Sequence, residues 1–114
     1  MEKFMLIFHG GMGAEGKQPT PEEMQAEMAK WMAWIDKLAK AGTYVSGEPL
    51  LPGGKLVSGK DKKVMDGPYT EGKELVGGFF IINAVDLNEA VAISKDCPDF
   101  EYGGSVQVRQ VMKM

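Results

Sequence analysis

From Lys3 to His9 the side chains follow a two-residue period: Phe4, Leu6 and Phe8 share one face, and Met5, Ile7 and His9 share the other. Both faces are largely apolar, which predicts a central strand covered on both sides. Gly10-Gly11-Met12-Gly13-Ala14-Glu15-Gly16 then reads as a loop, either a lid or a surface connection. The period changes at Thr20-Pro21-Glu22-Glu23, where Thr20 can cap, Pro21 suits the first helical position and Glu23 completes a capping box. Met24, Met28, Trp31, Met32, Ile35 and Leu38 recur at helical spacing and predict the buried stripe, with Trp34 on its flank. Lys37 and Lys40 complement the negative end of the helix dipole, and Gly42 ends the helix.

Beyond Gly42, Thr43 to Leu50 predicts a second strand, ended by Pro49 and Pro52. Lys55 to Ser58 and Lys62 to Met65 predict a hairpin across Gly59-Lys60-Asp61, followed by a polar loop from Asp66 to Glu74. Val76 to Asn83 is apolar enough for a second central strand. Asp86 and Glu89 open a short helix whose predicted inward face is Leu87, Ala90, Val91 and Ser94, closed by Pro98. Ser105 to Met112 alternates again and predicts the last strand. The resulting order, β-α-β-(hairpin)-β-α-β, is the ferredoxin-like split βαβ arrangement of an α+β protein with an inserted hairpin. Right-handed crossovers place both helices on one sheet face. The other face is left bare and partly apolar, and pairing of two copies sheet against sheet would cover it.

Composition narrows the function classes. The 114 residues suit one domain over residues 1–114, and 44% hydrophobic with 25% charged residues is ordinary for a globular chain. A net charge of −3 argues against non-specific nucleic-acid binding. No apolar run reaches membrane-spanning length, and the start lacks the features of a signal peptide. Cys97 is the single cysteine and His9 the single histidine, so neither a disulfide nor a thiolate or histidine metal cluster is expected within one chain. A reducing, cytoplasmic location is the natural expectation. No glycine pattern forms a phosphate cradle, and no cofactor is expected.

One stretch carries a family likeness. Asp66-Gly67-Pro68-Tyr69-Thr70-Glu71-Gly72-Lys73-Glu74 resembles the DGPF signature, Asp-Gly-Pro-Phe followed by Glu-x-Lys-Glu, with Tyr69 in the place of Phe. Phe4-Met5-Leu6-Ile7, Val45-Ser46-Gly47-Glu48-Pro49-Leu50, Gly77-Gly78-Phe79-Phe80, Cys97-Pro98 and Tyr102-Gly103-Gly104-Ser105-Val106-Gln107-Val108-Arg109 follow in the expected order. The chain thus resembles the YCII-related (DGPF) family. The resemblance implies a dimeric α+β barrel, a His and Asp pair in the wider group, lyase-type elimination chemistry in some members, and an association of some DGPF proteins with extracytoplasmic-function sigma factors.

Candidate chemistry centres on His9 and Asp66. Split βαβ topology makes the first and third core strands antiparallel neighbours, which brings the chain before Gly77 toward His9. A carboxylate beside the imidazole would orient the ring and raise its pKa, giving an acid–base pair. The bland alternatives are a strand-end histidine half in solvent and a turn aspartate bonded to its own backbone. Ser46, Tyr69, Glu74 and Arg109 are candidate substrate-binding residues, Arg109 as a fork for a carboxylate; each is equally an ordinary exposed residue of a strand or loop. The expected function is a cofactor-independent enzyme acting on a small organic molecule. The alternatives are a non-catalytic ligand-binding or regulatory homodimer working with a sigma factor, and a cofactor-free oxygenase.

Overall fold

The alternating segments form a four-stranded antiparallel sheet, and the two periodic ones form helices on one side of it. The computed structural model describes residues 1–13, 18–67 and 74–114. In chain order the elements are β1 (Glu2–His9), α1 (Pro21–Lys40), β2 (Tyr44–Pro49), β3 (Lys55–Ser58), β4 (Lys63–Asp66), β5 (Val76–Ala84), α2 (Leu87–Ser94), a 3-10 turn (Pro98–Tyr102) and β6 (Ser105–Gln110). The sheet order is β2-β5-β1-β6, with β3 and β4 pairing separately. That is the split βαβ order expected of an α+β, ferredoxin-like chain with an inserted hairpin.

β1 and β5 are the inner strands because both are apolar on both faces. Their register sets Met5 opposite Ile81 and Ile7 opposite Phe79 on one face, and Phe4 opposite Ile82 and Leu6 opposite Phe80 on the other. The second set is buried under the helices. Phe4, Leu6 and Ile82 are fully enclosed, joined by Phe8, Phe80, Ala84, Trp34, Leu38, Ala90 and Cys97. Each large side chain so placed contributes about 1.5–3 kcal/mol. Phe80 is the hub, with ring centroids of Phe8, Trp34 and Tyr44 at 4.9, 5.1 and 5.2 Å. β2 lies close on this hub: a Cβ at Gly47 would stand 2.5 Å from Phe80 Cδ1, so only glycine fits there.

α1 starts as its capping box predicts. Thr20 Oγ1 accepts from the Glu23 amide at 3.1 Å, and Glu23 Oε1 accepts from the Thr20 amide at 3.0 Å. Its buried face is rotated from the predicted one. Glu27, Trp34 and Leu38 are buried, whereas Met24, Met28 and Met32 are exposed. The aromatic hub draws Trp34 inward, and the methionine stripe overhangs an opening beside the sheet. In α2 the predicted inward residues Leu87 and Val91 are exposed, while Ala90 and Ser94 are buried and Ile93 packs on the core. The 3-10 turn Pro98–Tyr102 has no counterpart among the elements that the sequence pattern predicts.

The first hairpin strand falls where predicted and the second runs one residue later, so Asp66 belongs to β4 and Lys62 turns the chain at φ 55°. All eight of its strand residues are exposed. The whole measures 43 × 42 × 19 Å, and its thin dimension is one helix layer on one sheet. No helix among the described residues is long and apolar enough to cross a membrane.

Candidate functional site

A cavity of about 660 Å³ opens between α1 and the sheet, at the end where β1 leaves and β5 enters. That is a volume suited to a small organic ligand. Its walls are aromatic and thioether: Phe8 and Phe80 from the sheet, Trp31, Met24 and Met28 from α1, and Tyr44 from β2. The methionine stripe lines this space instead of filling the core.

Besides the exposed Glu48 of β2, two carboxyl groups interrupt the apolar wall, Glu27 from α1 and Asp99 from the 3-10 turn. Both residues are more than nine-tenths buried, at 7% exposure each. Glu27 Oε1 accepts the Tyr102 hydroxyl at 3.3 Å and lies 3.8 Å from Lys30 Nζ. Lys30 itself is turned to Glu101 at 2.7 Å. Glu27 Oε2 is buried with no hydrogen-bond partner among the described residues. Burial, and then the charge of Glu27, push the Asp99 carboxyl up from its ordinary 3.8 to about 6. Gly11, at φ +107°, lays the loop after β1 against this carboxyl, and a Cβ there would meet Asp99 Oδ1 at 2.7 Å. Gly104 accommodates the Asp99 backbone from the other side. The turn therefore has a formed seat between two glycine segments.

Beneath the turn, Cys97 is buried, and desolvation pushes its thiol up to about 12. It is a packing residue of the core. Among the described residues, no three His, Cys, Asp or Glu side chains converge as a metal cage would require.

The residues singled out from the sequence lie elsewhere. His9 sits between two cavity-lining residues, Phe8 and Gly10, but does not line the cavity itself. Its Nδ1 is 3.1 Å from the Glu74 carbonyl oxygen. Since a carbonyl only accepts, Nδ1 carries the proton and Nε2 is left as the basic nitrogen. The end of the signature loop thus does reach His9, through the backbone of Glu74 and not through its carboxylate. Asp66 is exposed on β4 and forms an ion pair with Lys55 across the hairpin. The structure shows no hydrogen bond between Asp66 and His9. Ser46 and Arg109 are exposed on the sheet face away from the helices, opposite Ile81 and Met5 respectively. Tyr69, in the segment 68–73, lies outside the described residues.

Glu27 and Asp99 were missed. Glu27 reads as a solvated helix charge and Asp99 as a turn residue after a helix stop. The available signal was the spacing Glu27, Trp31, Trp34, Leu38, which is as regular as the methionine stripe but begins with a carboxylate.

No curated protein matches the sequence. Among solved structures, 5-chloro-2-hydroxyhydroquinone dehydrochlorinase (TftG) from Burkholderia phenoliruptrix, in complex with 2,5-dihydroxybenzoquinone, is similar over 97% of this chain and 95% of that one, at 21% identity and a TM-score of 0.48. Chemistry does not transfer at that degree of likeness. Family membership rests on the sequence profile: the YCII-related domain matches residues 3–114, nearly the whole chain, and the protein belongs to that family.

Proposed function

We propose that the protein is a cofactor-independent enzyme that moves a proton on a small, mostly apolar organic molecule held in the cavity between α1 and the sheet. One observation carries this reading: a carboxyl with its pKa raised to about 6 stands in an apolar pocket beside a second carboxylate. A group that titrates near neutrality is matched to both taking and giving a proton. Asp99 is the proton-transfer group, its pKa kept high by burial and then by the charge of Glu27, which also lines the cavity. Gly11 and Gly104 fix the position of the turn, which keeps the acid in one geometry.

A rival assignment within the same function has its own support. The Glu74 carbonyl fixes the His9 tautomer and leaves Nε2 able to accept a proton. Under this assignment the site is completed on the open sheet face, with Asp66 reaching it from the hairpin of another copy or after movement. The same face supports a homodimer. Met5, Ile7, Phe79 and Ile81 form a half-buried apolar patch that neither α1 nor α2 covers, and Leu56, Val57, Val64 and Met65 are exposed on the hairpin.

The test is proton–deuterium exchange followed by NMR, with a library of small carbonyl, phenolic and amine compounds in heavy water. Once an exchanging compound is found, Asp99→Asn should slow its exchange about 100-fold or more while the fold is retained by circular dichroism. His9→Ala should leave at least half of the rate. The reverse result, Asp99→Asn active and His9→Ala dead, would transfer the chemistry to His9. Full activity in both variants would remove both assignments.

A further inference from the structure

We infer that the ligand of this cavity is an organic cation, an apolar body carrying an ammonium group, which docks on Glu27 Oε2 with its body against the aromatic wall. The inference rests on the cavity being the ligand site and adds the class of ligand. Its starting point is the orphaned oxygen. A buried carboxylate oxygen without a donor is destabilising. Glu27 nevertheless has one at 7% exposure. A neighbouring cation does not serve it, because Lys30 is engaged at 2.7 Å by Glu101 and lies 3.8 Å away on the side of Oε1. Oε2 itself has almost no free surface, so a donor in the cavity that Glu27 lines engages it once the carboxylate turns toward that space.

The charge balance selects a cation over a neutral donor. Among the described residues, Glu27, Glu48 and Asp99 line the cavity, and the cation beside Glu27 is Lys30, itself paired with Glu101. Among the described residues no Lys, Arg or His lines the cavity. A hydroxyl would satisfy one lone pair and leave the paired negative charge in place. An ammonium group satisfies the oxygen and offsets the charge together. A carboxylated ligand, expected from Arg109, would meet repulsion here, and Arg109 is on the far face of the sheet. The walls agree with the floor. Phe8, Trp31, Tyr44 and Phe80 line the cavity, and a cation close to an aromatic face is attracted by the ring. The Met24 and Met28 thioethers are soft and adjust to an irregular body.

The experiment is isothermal titration calorimetry at about pH 8, where Asp99 is ionised. The ligands are a matched set in which phenyl, indolyl and cyclohexyl bodies each carry a two-carbon arm ending in amine, alcohol or carboxylate. For at least one body the amine should bind about tenfold or more tightly than the alcohol, with the carboxylate weakest. Glu27→Gln should bring the amine to the level of the alcohol. Glu27→Asp, which keeps the charge but withdraws it by one methylene, should fall between, and melting curves establish that each variant is folded. Equal binding of amine and alcohol, or an amine preference unchanged in both variants, would overturn the inference and leave the cavity reading standing. Binding by no member of the set below a Kd of about 10 mM would overturn both.

Discussion

Replacing Asp99 by Asn should make the protein more stable at neutral pH, although Asp99 is nearly buried and seated between two glycines. The carboxyl titrates at about 6 in the folded chain against an ordinary 3.8. Folding therefore favours the protonated form: the stability associated with this group is complete below about pH 4 and is lost as pH rises through about 6. The gap of about two pH units corresponds to roughly 3 kcal/mol at full ionisation. Because the carboxyl borders an open cavity, screening lowers the net figure to about 1–2 kcal/mol. Asn has nearly the same shape, so it removes the ionisation without opening a hole, and it also relieves Glu27 of a like charge. Urea unfolding at about pH 8 should show Asp99→Asn stabilised by about 1–2 kcal/mol, with the advantage shrinking toward zero near pH 4. An Asn variant less stable than the parent at pH 8, or one whose gain is the same at both pH values, would refute the reasoning. Greater stability together with slower proton exchange would mark Asp99 as a residue kept against the interest of the fold.

Other predictions test the frame around this site. Phe80→Ala empties the aromatic hub and should cost about 3–5 kcal/mol in urea unfolding; a loss under about 1 kcal/mol would contradict the packing described. Ile81→Lys places a charge in the uncovered apolar patch opposite Met5. Multi-angle light scattering should then report a single-subunit mass for the variant and twice that for the parent. A parent that runs as a single subunit would end the pairing proposal.

The fold was legible because its signals are local. Two-residue alternation marked the inner strands, and Thr20 with Glu23, and Asp86 with Glu89, marked helix starts through contacts three residues apart. The site was less legible because its contacts are distant. Glu27 is held by Tyr102, 75 residues away along the chain, and its burial depends on where α1 sits over the sheet. Periodicity finds an apolar stripe but does not say which part of it the sheet covers. The helix therefore turned its Glu27–Trp34–Leu38 face inward and left the methionines at the cavity. Asp66 illustrates the same limit: a shift of one residue in the hairpin placed it on a strand, facing Lys55.

The buried thiol of Cys97 gives the molecule a clock. With its ionisation pushed to about 12, the closed form has almost no thiolate to react with an alkylating reagent at ordinary pH. Labelling must wait for α2 and the 3-10 turn to lift from the sheet, so its rate reports how often that corner opens. As Asp99 is only two residues further on, a cation settling on the carboxyls should slow the clock, and occupancy could be followed without a chromophore in the ligand.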